Sequence, residues 1–237
     1  MTKYALYLES GPRQRKTMVH VLDLLGCIAQ GPTTETALEN TPEAIRAYLR
    51  FLHRHGEAVE PSDKFSITVA THVMEGSWLG YGDPPSGFAP DFKPLSASDL
   101  EIYQRRLTWL RADLLTSIRH LPRKRLIAKP AAGRSIYEIV DHVASSECVY
   151  LRYLVGKVDG LSDALRAVTS PDDLPSALTR LWQISSARLE SLTAAERRQS
   201  VKHGQVTWTA RRAFRRLLEH DWEHLLELSE RLNGVAE

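Results

Sequence analysis

Apolar and polar residues alternate at the start of the chain. In Lys3–Glu9, Tyr4, Leu6 and Leu8 share one face, which is the period of a half-buried strand. Met18, Val19 and Val21 predict a second strand in Thr17–Leu22. Cys27–Gln30, framed by Gly26 and Gly31, predicts a third. Over residues 33–55 the period lengthens. Ala37, Leu38, Ile45, Leu49 and Leu52 recur at about 3.6 residues, which predicts a helix. Pro42 is expected to interrupt it, with Thr41 capping a restarted second half. Residues 65–74, FSITVATHVM, predict a last strand.

The pattern changes near residue 76. GSWLGYGDPPSGFAPDFKP is a Gly- and Pro-rich connection, packed in places because Trp78, Tyr81, Phe88 and Phe92 are too apolar for a free tether. Everything after it reads as helix, in four amphipathic segments. The first, over 98–121, opens on Ser98-x-x-Glu101 and carries Leu100, Tyr103, Leu107, Leu110, Leu114 and Leu121. The second, over 135–156, opens on Ser135-x-x-Glu138. The third, over 171–192, starts at Ser170-Pro171 with the stripe Leu174, Leu178, Leu181, Ser185 and Leu189 or Leu192. The fourth, over 208–232, stops at Asn233-Gly234. Four such helices predict a four-helix bundle. The fold class is therefore α+β, with a small sheet-and-helix domain over 1–75, a linker over 76–95 and an all-α bundle over 96–237.

Composition narrows the function. With 237 residues and 43% hydrophobic content the chain can bury a sizeable core. The net charge of +2 does not advertise a nucleic-acid partner. Residues 1–95 hold 9 Lys and Arg against 11 Asp and Glu, and residues 96–237 hold 22 against 18, so neither part departs far from balance. No stretch of about 18 uncharged apolar residues predicts a membrane span, and MTKYALYLES has no signal-peptide core. Cys27 and Cys148 imply no disulfide framework, so the expected setting is cytoplasmic, with reduced thiols.

The histidines carry the candidate chemistry. Leu228, His224, His220, Leu217 and Ala213 follow one another backwards in steps of 4, 4, 3 and 4, so both histidines continue the inward seam of the fourth helix. Residues four apart on a helix have Cβ atoms roughly 5–6 Å apart, within reach of one ion whose bonds to nitrogen are about 2.0–2.1 Å for zinc. In the second helix, Ile139, His142, Ser146 and Val149 place His142 on an inward position beside the small Ala144, Ser145 and Ser146. Three histidines with an open fourth position make a catalytic metal site, and hydrogen-bonded core histidines are the alternative reading. The stretch is not H-E-x-x-H, because Asp221 follows His220. Asp221 and Glu147 are weak candidates for a general base. Glu219 and Glu223 read as solvated acids or as groups that orient an imidazole. Arg211, Arg212, Arg215 and Arg216 read as the wet side of the same helix, and Cys148, six residues past His142, as a buried thiol.

Residues 96–232 resemble the DinB/YfiT-like superfamily, on Ser135-Ile-Tyr-Glu138-Ile-Val-Asp-His142-Val-Ala-Ser-Ser-Glu147 and His220-x-x-x-His224. The resemblance implies His142, His220 and His224 as ligands of a divalent ion: zinc, nickel, manganese or iron. Members include thiol-dependent S-transferases and isomerases. Two features depart from the thiol-transferase pattern. Leu225-Leu226-Glu227 stands where an Arg-Gly-Gln stretch often follows, and Arg134 stands where a tryptophan often precedes the helix-two serine. Residues 1–75 resemble the HicB-like antitoxin domain on Asp23-Leu-Leu-Gly26-Cys27, Gln30-Gly31, Thr33, Glu35-Thr-Ala37-Leu-Glu-Asn40 and Glu43-Ala44-Ile45, which implies a small sheet against a helix and self-association as a homodimer.

Two functions follow. One is a divalent-metal-dependent enzyme, a hydrolase or a thiol-dependent transferase acting on a small molecule. The other is a non-catalytic binding or regulatory protein whose sheet domain takes a partner or forms the dimer and whose metal is structural. Neither involves a membrane or a nucleic acid.

Overall fold

The computed structural model describes residues 1–82, 87–169 and 173–233. The expected helix start at Ser170-Pro171, the expected stop at Gly234 and linker residues 83–86 lie outside the described residues. The chain divides into two compact units, Met1–Pro94 with Ser200–Glu219, and Leu95–Gln199 with His220–Glu237. The class is α+β, a mixed four-stranded sheet with a helix followed by a helical region.

The first unit holds β1 (Thr2–Ser10), β2 (Thr17–Val21), β3 (Ile28–Gly31), α1 (Thr34–Arg54) and β4 (Phe65–Val73). The sheet order is β3-β2-β1-β4. β2 is antiparallel to β1, with Leu8 opposite Val19, and to β3. β4 runs parallel to β1, which requires a crossover, and α1 lies in that connection. The alternation in β1 has its expected consequence, since Leu6 and Leu8 are buried. Each such side chain removed from water contributes about 1.5–3 kcal/mol.

α1 is one helix, capped by Thr33, whose Oγ1 accepts from the Thr36 amide at 3.2 Å. The expected interruption at Pro42 does not occur. A proline inside a helix costs about 3 kcal/mol, chiefly a lost hydrogen bond and a clash. The face formed by Ala37, Thr41, Ile45, Tyr48, Leu49 and Leu52 is buried and packs on β2 and β3, which outweighs that cost. Thr41 does not cap a new helix, and its hydroxyl donates to the Ala37 carbonyl at 2.8 Å. Gly26 holds φ at 105°, and a Cβ there would lie 2.1 Å from the Tyr48 hydroxyl, which donates to the Leu25 carbonyl. Only glycine fits this turn.

Residues 200–219 also belong to this unit, with a hairpin of β5 (Ser200–His203) and β6 (Val206–Thr209) and the start of a helix. The sequence pattern predicted only helix and loop here. Trp208, expected inside the last helix, is a buried strand residue, and His203 ends β5. In the Gly/Pro-rich stretch Phe88 is buried, whereas Trp78, Tyr81 and Phe92 are exposed.

The arginines expected on the wet side of the last helix are buried at Arg212, Arg215 and Arg216. Glu219, a candidate solvated acid, is buried with them. Arg215 Nε donates to Asp91 Oδ1 at 2.8 Å and Arg215 Nη1 to Glu219 Oε2 at 3.0 Å. Glu219 Oε1 accepts from His20 Nδ1 at 2.9 Å, and His20 Nε2 lies 3.8 Å from Glu9 Oε1. Burial pushes the His20 pKa down, but the charge and hydrogen bond of Glu219, aided by Glu9, outweigh it and the net shift is upward. Amphipathic periodicity missed the cluster because it counts every charge as solvent-facing, whereas a buried charge is tolerated once it is paired.

The second unit holds α2 (Ala97–Ile118), α3 (Arg123–Ile127), α4 (Ile136–Val155), α5 (Leu161–Val168), α6 (Leu174–Glu190) and the end of α7 (Ala210–Asn233), whose first residues belong to the other unit. α6 packs on α2, α4 and α5. Leu174, Leu178, Leu181, Ser185 and Leu189 form its buried stripe, as the sequence predicted. The short α3 and α5 were not anticipated. α2 is capped by Ser96 and not by Ser98, because Ser96 has the extended backbone and its Oγ accepts from the Asp99 amide at 3.0 Å. Among the described residues, no helix is long and apolar enough to cross a membrane.

Candidate metal centre

Two helices of the second unit build the site. α4 begins at a closed capping box, in which Ser135 Oγ accepts from the Glu138 amide and Glu138 Oε2 from the Ser135 amide. This satisfies two N–H groups that a helix start leaves without an intrahelical partner, and it sets the phase of the helix. His142 follows two turns later. The predicted seam through Ile139, His142, Ser146 and Val149 needs correction, since His142 and Val149 are exposed. The buried stripe runs through Ile139, Val140, Val143, Ala144, Glu147, Cys148 and Leu151. Its apolar face is displaced by one residue, which leaves His142 on the rim.

α7 supplies the other two. His220 and His224 are 6% and 3% exposed and continue the buried stripe of Ala213, Leu217 and Leu228. The three rings converge. His220 Nε2 lies 3.1 Å from His142 Nε2 and 3.2 Å from His224 Nε2, and the ligand atoms of all three lie within 4.8 Å of one another. Donors on a tetrahedron with bonds of 2.0–2.1 Å are about 3.3 Å apart, so this spacing is close to that of a shared ion.

The partner on the far side of His224 sets how that ring faces the other two. His224 Nδ1 lies 2.7 Å from Glu227 Oε2, which only accepts, so Nδ1 carries the proton and Nε2 presents a lone pair. Partial burial of the His142 ring at the rim, with the nearby His224 and the charge of Arg134, lowers its pKa to about 4, so the ring is neutral near pH 7. His224 Nε2 thus turns a lone pair toward His220 Nε2, and a cation among the three rings would be held by such lone pairs. The edge of the Tyr150 ring meets that of His220 at right angles, with centroids 5.8 Å apart.

Glu227 was not singled out from the sequence. Its signal was spacing, because i and i+3 share a helix face and His224 and Glu227 are three apart. Arg134 grips it, with Nη2 to Oε2 at 2.7 Å and Nε to Oε1 at 3.3 Å. Burial raises the Glu227 pKa, but the His224 hydrogen bond and the Arg134 charge outweigh it, and the net shift is downward. Arg134 Nη2 also lies 3.4 Å from His224 Nδ1, but both nitrogens bear protons there, so the useful contact is to the carboxylate.

The two candidate bases gather around Arg111. Arg111 Nη2 donates to Glu147 Oε1 at 2.6 Å, and Arg111 Nε lies 3.9 Å from Asp221 Oδ2. Both carboxyls are buried, and burial raises both pKa values. One guanidinium faces two carboxyls, which favours one of them staying protonated. Cys148 is a buried thiol with its pKa pushed up to about 12 by burial, the opposite of an activated nucleophile.

Comparison with known proteins gives a family for part of the chain. A family model described as the DinB superfamily matches residues 106–228. The N-terminal region resembles a HicB-like protein, the UPF0150 protein Ta0767 of Thermoplasma acidophilum, at 44% identity over 52 residues, which are 22% of this chain and 75% of that one. A solved structure, YfiT from Bacillus subtilis, described as a probable metal-dependent hydrolase with an unusual four-helix bundle topology, is 19% identical. It covers 64% of this chain and 98% of its own, with a TM-score of 0.44.

Proposed function

We propose a function from one premise: the chain belongs to the DinB superfamily. The function is that of a divalent-metal-dependent enzyme whose ion is held by His142, His220 and His224. Zinc, nickel, manganese and iron all suit three imidazoles. A divalent ion there would supply Lewis acidity and lower the pKa of water or of a small thiol to near neutrality. Hydrolysis and thiol transfer are the two reaction types that use such a nucleophile. The observation that carries the reading is the convergence of three imidazoles, with His220 Nε2 3.1 Å from His142 Nε2 and 3.2 Å from His224 Nε2 and all three ligand atoms within 4.8 Å of one another.

The chain's own residues prepare the site in three ways. Glu227 fixes the tautomer of His224. The buried positions of His220 and His224 remove two ligands from bulk water. The exposed edge at His142 leaves an approach for a small molecule. That edge favours the enzymatic reading over a purely structural ion. Structural sites are closed, with four protein ligands, and the cluster among the described residues has three.

Elemental analysis of protein purified under metal-replete conditions tests this, alongside His142→Ala and His224→Ala. We expect about one ion per chain in the wild type and strong depletion in both variants, which should still fold and melt near the metal-free wild type. A wild type without stoichiometric metal would overturn the site. Variants that lose metal and unfold would overturn the catalytic reading in favour of a structural ion.

A further inference from the structure

One of the three histidines is held from behind. His224 has a carboxylate on its far nitrogen at hydrogen-bond distance, and that carboxylate is itself held by a guanidinium. Arg134 stands immediately before the α4 cap, and Glu227 lies one turn past His224 on α7. Arg134 engages both oxygens of Glu227, at 2.7 and 3.3 Å, so the plane of the carboxylate is set by a two-point fork. Glu227 Oε2 is thereby aimed at His224 Nδ1.

Three consequences follow for a metal ligand. The Nδ1–H tautomer is selected, which places the lone pair on Nε2, the atom that faces the other two histidines. The ring is fixed in rotation about its own bond to the helix. The negative charge on the far side of the ring makes Nε2 a stronger donor than a neutral acceptor would. Arg134 has a separate task. A bare carboxylate so close could swing in and take the ion itself, and a carboxylate with both oxygens engaged does not. The competing explanation is an ordinary half-exposed ion pair that links the start of α4 to α7, and such pairs contribute little.

We propose that Glu227 is a positioning residue for the ligand His224, and that Arg134 holds Glu227 to that task. This rests on the metal-site reading above. The test uses the full chain stripped of metal and titrated with cobalt(II) chloride, followed by the visible absorption of the bound ion, with the melting temperature of the metal-free protein measured in parallel. Glu227→Ala is expected to weaken cobalt binding about 10–100-fold and to shift the ligand-field bands. Glu227→Gln, which keeps the volume and an acceptor but not the charge, should fall between it and the wild type. Arg134→Gln should weaken binding by a smaller factor, and should have no further effect in the Glu227→Ala background. Metal-free melting should stay near that of the wild type throughout. Wild-type binding with unaltered affinity and spectrum in Glu227→Ala would overturn this proposal alone. A wild type that binds no cobalt would overturn the metal-site reading and this proposal with it.

Discussion

The first unit and the second each bury histidine, and they treat it in opposite ways. His20 lies between carboxylates, with Glu219 at 2.9 Å on one nitrogen and Glu9 at 3.8 Å from the other, and Arg215 links Glu219 to Asp91. Each charge there meets an opposite charge. His142, His220 and His224 instead turn nitrogen toward nitrogen. Burial alone does not distinguish a structural histidine from a ligand. What distinguishes them is what each ring faces, carboxylates in the first unit and other imidazoles in the second.

If the contrast is real, the charge cluster should be costly to break and the histidine cluster cheap. Arg215→Ala should have the largest effect, because it removes the cation shared by Asp91 and Glu219. Breaking a buried pair by deleting one partner costs about 3–5 kcal/mol, and urea denaturation would read it. A loss under about 1 kcal/mol would mean that water reaches the cluster, and the comparison would fail.

A smaller effect, with a characteristic pH dependence, is expected of His20→Gln. The folded pKa of His20 is raised above its ordinary value of 6.5. Its contribution is therefore fully present below pH 6.5 and declines as pH rises through the folded value. Denaturation series between pH 5.5 and 9 should show this decline in the wild type and not in His20→Gln. The variant should cost about 1–3 kcal/mol at the acid end, where the buried hydrogen bond to Glu219 is lost. Parallel pH profiles of the two proteins would show that His20 does not gain a proton on folding.

The smallest effect sharpens the other side. His142→Ala in metal-free protein should change stability by less than about 0.5 kcal/mol, because the ring is exposed and contributes donor atoms more than packing. Calorimetry with and without added zinc would separate the two contributions, since an ion that binds only the folded state stabilises it by mass action. A large loss in the absence of metal would make His142 a structural residue.

Much of this was legible in the sequence where one interaction dominates locally. The alternation of Tyr4, Leu6 and Leu8 predicted β1, the Ser135/Glu138 box predicted the start of α4, and the 4-residue step from His220 to His224 predicted two rings on one face. What escaped depends on partners far away in the chain. Arg215 looked like a surface residue until Asp91, 124 positions earlier, stood beside it. Pro42 looked like a break because the compensating burial along α1 lies on other strands. The cap of α2 was misplaced by two residues because Ser96 and Ser98 differ only in backbone conformation. The two departures noted from the thiol-transferase pattern, Arg134 and the Leu225-Leu226-Glu227 stretch, are joined by one ion pair.

The first unit is discontinuous in the chain, built from Met1–Pro94 and Ser200–Glu219. A ribosome adding about 5–20 residues per second must therefore make the intervening hundred or so residues before Arg215 and Glu219 exist to neutralise Asp91 and His20. Until then Asp91 and His20 lack the partners that make their burial tolerable. Its completion during synthesis comes after most of the second unit has been made, so a truncation anywhere before residue 219 should leave the N-terminal part, although fully translated, unable to finish folding.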